Sequence, residues 1–535
     1  MWNKYSSAFE SDVDQYYSYL PSLFIYKSKN LNYPEASRYW ANVTEDGARV
    51  PKTSIGMAYT YLPFFLPAYL MQSTFGDVNT GYEPVYENFA KIWGVLMAFI
   101  CLWLMYKLVR LSFSKTIGVA TAYLLFFGTN ILFYSMGLGL MAHMPLLILF
   151  LLIVLITEKL KTQSGLKLLL SLLFFIALAA IIRPSDAIIA LYPGVQFLIN
   201  KYLRDNLLIH LKKPLNWLWM VLIVSSPIIP QLLYWKLASG NWIVYSYGDE
   251  GFFFDKPMIY EFLLGFRKGW IIYTPLIIFS FLGLILGRKQ KHISSGLTFG
   301  ILAIAVFVYS SWWAWWYGGS YGSRTMVQYL ALLVLPTAYI LNSIRTSKFI
   351  IKIPALAILT FVVVLNLVQT KQYKSGVLHW DGMTFDAYKA IFMGADKPYD
   401  FYGMIQVPDY NGRKYTGVEY SNMVYAKSGH EIITSTFGTA LSKECGIDLN
   451  YIQLKAYTQR TDGGILVLSA TNDQGEDVLY YKKPLYNAID NEGKVFTLID
   501  VYVTGKPTKG TILRAYVYND TDHPIEVHEL ELSAY

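Results

Sequence analysis

Three acidic side chains near the N-terminus, Glu10, Asp12 and Asp14, are the residues of this chain best suited to catalysis. A carboxylate is a good general base when a hydroxyl can approach it, and two carboxylates two residues apart can share a divalent cation with phosphate oxygens. An aromatic run beginning with Tyr16 and Tyr17 follows, and such residues collect where a membrane meets water. Tyr16 and Tyr17 are candidates for lining the substrate. The pattern predicts carboxylate chemistry at a bilayer surface. The alternative, a solvated acidic loop, is the commoner origin of such short motifs.

A second candidate is the loop 311–324, in which tryptophans are followed by glycines and then by Arg324. An aromatic belt at the membrane surface explains the tryptophans but not the glycines and the arginine. Glycine lets backbone N–H groups approach a ligand closely, and a guanidinium can bind phosphate through two donors. We therefore expect Arg324 to bind a phosphate, with Trp316, Tyr317 and Tyr321 lining the substrate. The alternative for Arg324 is a snorkelling side chain.

Other ionisable residues lie close to predicted membrane spans, where such groups are functional candidates. Arg183 and Asp186 flank a proline, and they either pair to stabilise a turn or belong to the site. Arg267 and Lys268 end a loop on the side that normally lacks positive charge, and contact with phosphate would explain them. His143 lies early in a span and is a candidate for lining the substrate, although a lone histidine more often serves in packing or hydrogen bonding.

The chain has 535 residues, of which 54% are hydrophobic and 15% are charged, whereas soluble domains carry about 25% charged residues. The deficit of charge is concentrated between residues 91 and 369. A bilayer-spanning helix needs about 20 apolar residues, and we predict about ten spans in this region. The two shortest, on either side of residues 183–186, predict a hairpin of short helices. The predicted spans are 91–110, 116–135, 139–157, 166–182, 186–200, 216–236, 270–287, 295–311, 325–343 and 349–369.

Lysine and arginine are concentrated in alternate loops, and such loops normally face the cytoplasm. The net charge of +8 is therefore a sign of membrane topology, and we predict no nucleic-acid partner. The remaining loops and everything after residue 370 are expected outside. The loops expected on the outer face are 136–138, 183–186, 237–269 and 312–324.

Three domains are predicted. Residues 1–90 form an outer-face segment with the acidic motif and interfacial helices, although the stretch from Ile55 to Gln72 is alternatively a membrane span. Residues 91–369 form an α-helical polytopic membrane domain.

Residues 370–535 are predicted to form an extracytoplasmic, all-β sandwich of jelly-roll type. Alternating apolar segments are separated there by turns rich in Asn, Asp and Gly, which is typical of such folds. The strand-like segments are 464–470, 495–501, 512–518 and 525–532.

Several classes of function are not supported by the sequence. Walker A, haem-attachment and Cys/His zinc patterns are absent, so an ATP-driven pump is not predicted. Two functions without a catalysed reaction stay open: a lipid-carrier flippase or polysaccharide exporter without transfer activity, and an envelope scaffold that binds glycans. A polysaccharide polymerase or ligase, which would be an enzyme, stays open as well. A flippase would need charged residues within its spans, and the spans 116–135 and 325–343 are almost uncharged.

Taken together, these residues resemble the GT-C class of integral-membrane glycosyltransferases, in the bacterial branch related to protein O-mannosyltransferases and aminoarabinose transferases. The stretches that are similar are the first-loop acids Asp12 and Asp14, the turn 181–186, and the outer loop 315–324. The resemblance covers roughly residues 8–370. The family's helix before the first outer loop is absent from this sequence.

The resemblance implies transfer of a sugar from a polyprenyl-phosphate donor to a hydroxyl of a glycan, lipid or protein acceptor. It implies a multi-pass protein of the bacterial inner membrane, with the reaction on the outer face. Asp12 would be the catalytic base, assisted by Asp14, and a divalent metal held by these two acids stays an open alternative. Arg324, with Arg183 and the pair Arg267 and Lys268, would stabilise the leaving phosphate. A single displacement would invert the anomeric centre, by analogy with inverting glycosidases.

Overall fold

The computed structural model divides into two compact units, Met1–Gly376 and Val377–Tyr535. The first unit is mainly helical, and the second contains the long strands. The residues that the structure describes are 9, 12–34, 42–44, 48–136, 140–247, 250–290, 293–394, 396–398, 404, 418–420, 424–426, 431–436, 451–458, 465–471, 477–485, 488–489, 495–502, 512–518 and 525–534.

Helices follow one another through the first unit. A two-stranded antiparallel ribbon, β1 (Asn42–Val43) and β2 (Arg49–Val50), lies between the first two. The helices are α1 (Asp12–Pro21), α2 (Gly56–Phe75), α3 (Pro84–Val109), α4 (Lys115–Gly128), α5 (Ile131–Met136), α6 (His143–Leu160), α7 (Leu166–Ile182), α8 (Leu191–Ile199), α9 (Lys201–Leu211), α10 (Pro214–Ser225), α11 (Ile229–Ser239), α12 (Ile259–Leu264), α13 (Trp270–Tyr273), α14 (Ile277–Leu286), α15 (Ser295–Ser310), α16 (Leu330–Thr346), α17 (Phe349–Lys374) and, in the second unit, α18 (Phe385–Ala390).

The first unit has the helices of a membrane protein. Within the described part of the chain, α3, α6 and α17 are each long and apolar enough to cross a bilayer. The pair α9 and α10 also passes as one span, although it bends by 100°. Five further apolar helices, α4, α7, α14, α15 and α16, are 10–17 residues long. The membrane character is therefore supported, while the total of ten spans and their orientation stay predictions.

Several segments expected as single helices are divided in the structure. The segment 116–135 is interrupted between α4 and α5, and the segment 216–236 is interrupted near Pro227, between α10 and α11. The segment 270–287 is interrupted at Pro275, between α13 and α14. At the second and third of these breaks the cause is the proline, which removes a backbone donor and whose ring clashes with the carbonyl one turn earlier. The count of apolar residues therefore predicted one continuous helix in each of these segments, where the structure has two shorter helices.

The turn expected at residues 183–186 joins α7 to a short 3₁₀ helix, Pro184–Ala190, which continues directly into α8. Arg183 is the extended residue between α7 and the 3₁₀ helix, with φ −149° and ψ 111°. The proline at the first position of the 3₁₀ helix favours this geometry, because the residue before a proline is restricted to extended conformations. Arg183 and Asp186 therefore both lie in this short turn.

The second unit contains two antiparallel sheets. In the first sheet the order is β3 (Val418–Tyr420), β12 (Ile525–Ala534), β6 (Tyr451–Thr458), β10 (Val495–Tyr502) and β9 (Ala488–Ile489), with β4 (Val424–Ala426) also pairing with β12. In the second the order is β5 (Glu431–Thr436), β11 (Ile512–Tyr518), β7 (Ile465–Thr471) and β8 (Asp477–Pro484). The strands β10, β11 and β12 cover the predicted strand segments 495–501, 512–518 and 525–532, and β7 covers 465–470 of the segment 464–470, whose first residue lies outside the described residues. The sandwich and its jelly-roll topology stay predictions.

Helices α14 and α16 pack closely because a glycine faces a backbone carbonyl. A Cβ on Gly283 of α14 would overlap the carbonyl oxygen of Pro336 in α16. One turn away, the hydroxyls of Ser280 and Thr337 form a buried hydrogen bond of 2.7 Å between the same helices. The small residue and the polar pair therefore fix the separation of the two helices, as is common where membrane helices meet.

We expect Gly283→Ala to lower the thermal unfolding temperature of the detergent-solubilised protein, because α14 and α16 must separate to admit the new methyl group. Overpacking of this kind costs about 1–3 kcal/mol. Gly300→Ala in α15 is the matched control, since a Cβ there meets nothing within 4 Å. Alanine also favours a helix over glycine by about 1 kcal/mol, so this variant should be as stable as the wild type or more so. Equal unfolding temperatures for the two variants would contradict the close packing.

Candidate active site

The structure brings together two of the predicted site residues that are far apart in sequence, Asp12 and Arg324. Nη1 of Arg324 lies 3.7 Å from Oδ2 of Asp12. Asp12 begins α1, where carboxylates are favoured by the helix dipole, and Arg324 begins a short 3₁₀ segment before α16. The Asp12 side chain is 37% exposed and the Arg324 side chain 18%. Arg324 also has a buried Nε without a hydrogen-bond partner among the described residues. The acid is thus accessible, and the arginine retains a donor for a ligand.

Asp14 points elsewhere. Successive residues of an α-helix are rotated by about 100°, so the two aspartates of α1 lie on different faces. The hydroxyl of Tyr82 donates to Oδ1 of Asp14 over 3.5 Å, and the same hydroxyl is 3.2 Å from that of Tyr33. Glu10 lies outside the described residues. Within the part of the chain that the structure describes, no group of three or more His, Cys, Asp or Glu side chains is arranged to hold a metal.

Tyr16 lies close to Asp12 in the candidate site. It lies one helical turn after Asp12, and its side chain is buried. Burial and the neighbouring carboxylate of Asp12 raise the pKa of the Tyr16 phenol, against the opposing effect of Arg183 and Arg324. The phenol therefore stays protonated and can donate a hydrogen bond. These same charges act on Tyr247, whose pKa is also raised by burial, so Tyr247 shares the surroundings of the site.

Tyr17, by contrast, is a core residue. Its ring stacks on Phe9 with centroids 3.9 Å apart and on Phe64 at 6.2 Å, and it is completely buried. Its hydroxyl donates to the carbonyl oxygen of Gly81. These contacts bind α1 to α2 and to the start of α3. Tyr17 positions the helix that carries Asp12, and the structure does not place it with the predicted substrate-lining residues.

The turn after α7 contains a buried carboxylate with several hydrogen-bond donors. Asp186 is fully buried. Its Oδ1 accepts a hydrogen bond of 2.5 Å from the hydroxyl of Tyr309, and Nε2 of Gln328 lies 3.0 Å from both carboxylate oxygens. Arg183, which precedes the turn, has a buried Nη1 with no partner among the described residues. Asp186 therefore orders the turn, and Arg183 retains a donor.

The loop that precedes Arg324 has the backbone that its glycines predict. Tyr317, Gly318 and Gly322 have φ of 56°, 58° and 62°. At Gly322 a Cβ would come 2.8 Å from the Cβ of Tyr273, so the loop can pass there only with a glycine. Burial raises the pKa of the Tyr317 phenol, and the positive charges of Arg183 and Arg324 oppose this rise.

Two side chains that are predicted to line the substrate, those of Tyr321 and Trp316, make contacts that hold this loop in place. The hydroxyl of Tyr321 donates to Asn366 over 2.9 Å, and its backbone N–H donates to the hydroxyl of Tyr134 over 3.2 Å. Tyr321 is completely buried. Trp316 is also buried, and the guanidinium of Arg267 stacks on its ring at 3.6 Å. These two aromatic residues thus support the loop from within.

Lys268 is only 2% exposed, and its ammonium donates to the carbonyl oxygen of Ser320. Arg267 and Lys268 both contact the loop 311–324. Their role as phosphate ligands stays a prediction. The ammonium of Lys268 also lies 5.5 Å from the centre of the Tyr373 ring.

His143 is the first residue of α6 and is fully buried. Its Nδ1 lies 3.4 Å from Oε1 of Gln328, and its ring packs 5.3 Å from that of Tyr134. Gln328 and Tyr309 were not identified from the sequence. The signal for Gln328 was available, because an uncharged amide inside a predicted span needs a partner there. Tyr309 was less visible, since a tyrosine near the end of a span is normally read as an interface residue.

Asp186→Leu should destabilise the protein, because the buried donors of Tyr309 and Gln328 would lose their acceptor. Leaving a buried donor unsatisfied costs about 1–3 kcal/mol. Asp205→Leu on the exposed face of α9 is the control and should be close to neutral. Thermal unfolding in one detergent would compare the two variants. A wild-type unfolding temperature for Asp186→Leu would mean that the carboxylate does not hold the turn.

Sequence comparisons with known proteins found no match. No family model matches the chain, and no curated protein matches it. Among solved structures it is similar to the arabinosyltransferase EmbB from Mycobacterium smegmatis, with 11% identity and a TM-score of 0.34, over 98% of this chain and 62% of that one. The chain therefore spans less than two thirds of the length of that protein. At this identity and TM-score the likeness is remote.

Proposed function

We propose that this protein is a membrane glycosyltransferase that moves a sugar from a polyprenyl-phosphate donor to an acceptor hydroxyl on the outer face of the membrane. The observation that carries the proposal is the contact of 3.7 Å between Asp12 and Arg324. It joins a partly exposed acid to a partly buried arginine that has a spare donor. Arg183 supplies a second guanidinium to the same surroundings.

The proposed reaction is a single displacement at the anomeric carbon. The oxygen of the acceptor hydroxyl forms the new bond to this carbon, and its proton passes to the carboxylate of Asp12. The bond between the carbon and the phosphate oxygen breaks, and the polyprenyl phosphate leaves with the electron pair. Guanidinium groups aimed at that oxygen stabilise the charge that develops on it. The product has inverted configuration.

Arg324 can serve both ends of this reaction. Its Nη1 faces Asp12, and its Nε is available to an anion. A planar guanidinium with five donors can contact a carboxylate through one edge and a phosphate through another. The base and the leaving group would then be held at a fixed separation, which is the main requirement for an in-line transfer.

The remaining parts of the proposal follow from the sequence. Residues 1–90 and 91–369 would be an outer-face segment and a membrane domain of a bacterial inner-membrane protein. Residues 370–535 would be an extracytoplasmic β sandwich. Asp14, which the structure places on another face of α1, would position the helix rather than share the proton.

We expect Asp12→Asn to lower turnover by roughly 10²–10⁴-fold, which is the usual contribution of a general base. Transfer of sugar from polyprenyl-phosphate donors would be measured with the purified protein in detergent. Asp14→Asn is the matched control, because it removes an acid from the same helix without touching Arg324, and it should cost far less. Full activity of Asp12→Asn would remove Asp12 as the base and revive the transport interpretation.

We expect Arg324→Ala to weaken donor binding and slow transfer, since a hydrogen bond to a charged group contributes about 1.5–3 kcal/mol. Arg324→Lys should recover only part of the loss, because lysine keeps the charge but not the planar fork. Donor affinity and rate would be compared with those of Arg345→Ala, a variant at the other end of α16. If Arg324→Ala and Arg345→Ala behave alike, Arg324 is not a phosphate ligand.

A further inference from the structure

We propose that Nε2 of His143 accepts a hydrogen bond from a sugar hydroxyl of the bound donor, and that Asp186 and Gln328 fix the tautomer that makes this possible. The inference rests on the proposed function and adds a subsite to it. It assigns to His143 a task different from that of the two arginines, which are suited to phosphate.

The orientation of the Gln328 amide follows from Asp186. A carboxylate that accepts hydrogen bonds at both of its oxygens needs an N–H or O–H group as its partner. Nε2 of Gln328 lies 3.0 Å from both oxygens of Asp186, so the NH₂ group must face the carboxylate. The carbonyl oxygen of the amide, Oε1, then necessarily faces the opposite way.

The tautomer of His143 follows from that orientation. Oε1 of Gln328 lies 3.4 Å from Nδ1 of His143, and a carbonyl oxygen can only accept. The hydrogen of the neutral imidazole is therefore on Nδ1. Nε2 carries the lone pair and is an acceptor. The hydrogen bond at Nδ1 thus determines that Nε2 is the ring nitrogen free to accept a hydrogen bond.

The surroundings of Nε2 indicate a hydroxyl as its partner. The atom is buried and has no hydrogen-bond partner among the described residues, and a buried polar atom without a partner is costly. Arg183 and Arg324 are electrostatic neighbours of the ring. A phosphate oxygen would be repelled by the lone pair of Nε2 and attracted by the guanidinium groups. A sugar hydroxyl close to that phosphate can donate to Nε2 instead.

The first experiment reads the tautomer directly. The protein, with its seven histidines labelled with ¹⁵N, would be reconstituted in lipid and studied by solid-state NMR near neutral pH. The signals of His143 would be those that disappear in His143→Gln. We expect a hydrogen on Nδ1 and none on Nε2. A hydrogen on Nε2 in the wild-type protein would overturn the proposal, whatever the enzyme transfers.

Two variants test the cause of this tautomer. Gln328→Leu removes the acceptor that holds the hydrogen on Nδ1, and we expect the Nε2–H form to gain population. Gln196→Leu is the matched control, because Gln196 is another buried glutamine but donates to Ser294 instead. It should leave the His143 signals unchanged. If both variants leave them unchanged, Gln328 does not set the tautomer and that part of the proposal is wrong.

The final experiment tests the partner of Nε2. Polyprenyl phosphates carrying glucose, mannose or arabinose would be added separately, with unglycosylated polyprenyl phosphate as the control. We expect at least one glycosylated probe to shift the Nε2 signal and the control to leave it in place. An equal shift with the control would assign Nε2 to the phosphate, and no shift with any probe would leave it with water. Both results would overturn the hydroxyl subsite, while the Asp12 and Arg324 variants report on sugar transfer independently.

Discussion

A carboxylate buried in a membrane-type helical unit must be supplied with donors, and the Asp186 carboxylate is the group on which the site depends. Removing such a charge from water costs several kcal/mol unless hydrogen bonds replace its hydration. The donors come from Tyr309 at the end of α15 and from Gln328 just before α16. The turn after α7 is thereby bound to both helices. Through His143, Gln328 extends the same network to α6.

This network also determines where Arg324 lies, because Arg324 and Gln328 are one helical turn apart. The segment that provides Gln328 as a donor to Asp186 therefore also directs Arg324 toward Asp12 of α1. Two hydrogen bonds hold the preceding loop in place. The hydroxyl of Tyr321 donates to Asn366, and the ammonium of Lys268 donates to the carbonyl oxygen of Ser320. Precise placement of an exposed acid thus rests on a rigid interior, which is a general requirement for an active site.

The polar residues of the site are suited to different roles because they are buried to different degrees. Asp186 is fully enclosed and saturated with donors, so it is suited to positioning and not to proton transfer. Asp12 is accessible, and its ionic contact with Arg324 is loose at 3.7 Å, so it can exchange a proton with an acceptor. Arg183 and Arg324 lie between these extremes, and each keeps a donor that has no partner among the described residues. In a medium of low dielectric such donors act strongly on a developing negative charge.

Much of this organisation was evident from the sequence, because apolar composition, charged loops, strand alternation and glycine-rich turns are local properties. They predicted the membrane character, the candidate acid Asp12 and the loop that ends at Arg324. The tertiary structure alone decided that these two residues meet, that Tyr17 belongs to the core, and that Gln328 joins Asp186 to His143. Such contacts depend on how helices distant in sequence pack together and on which face of each helix is buried. No spacing along the chain encodes that information.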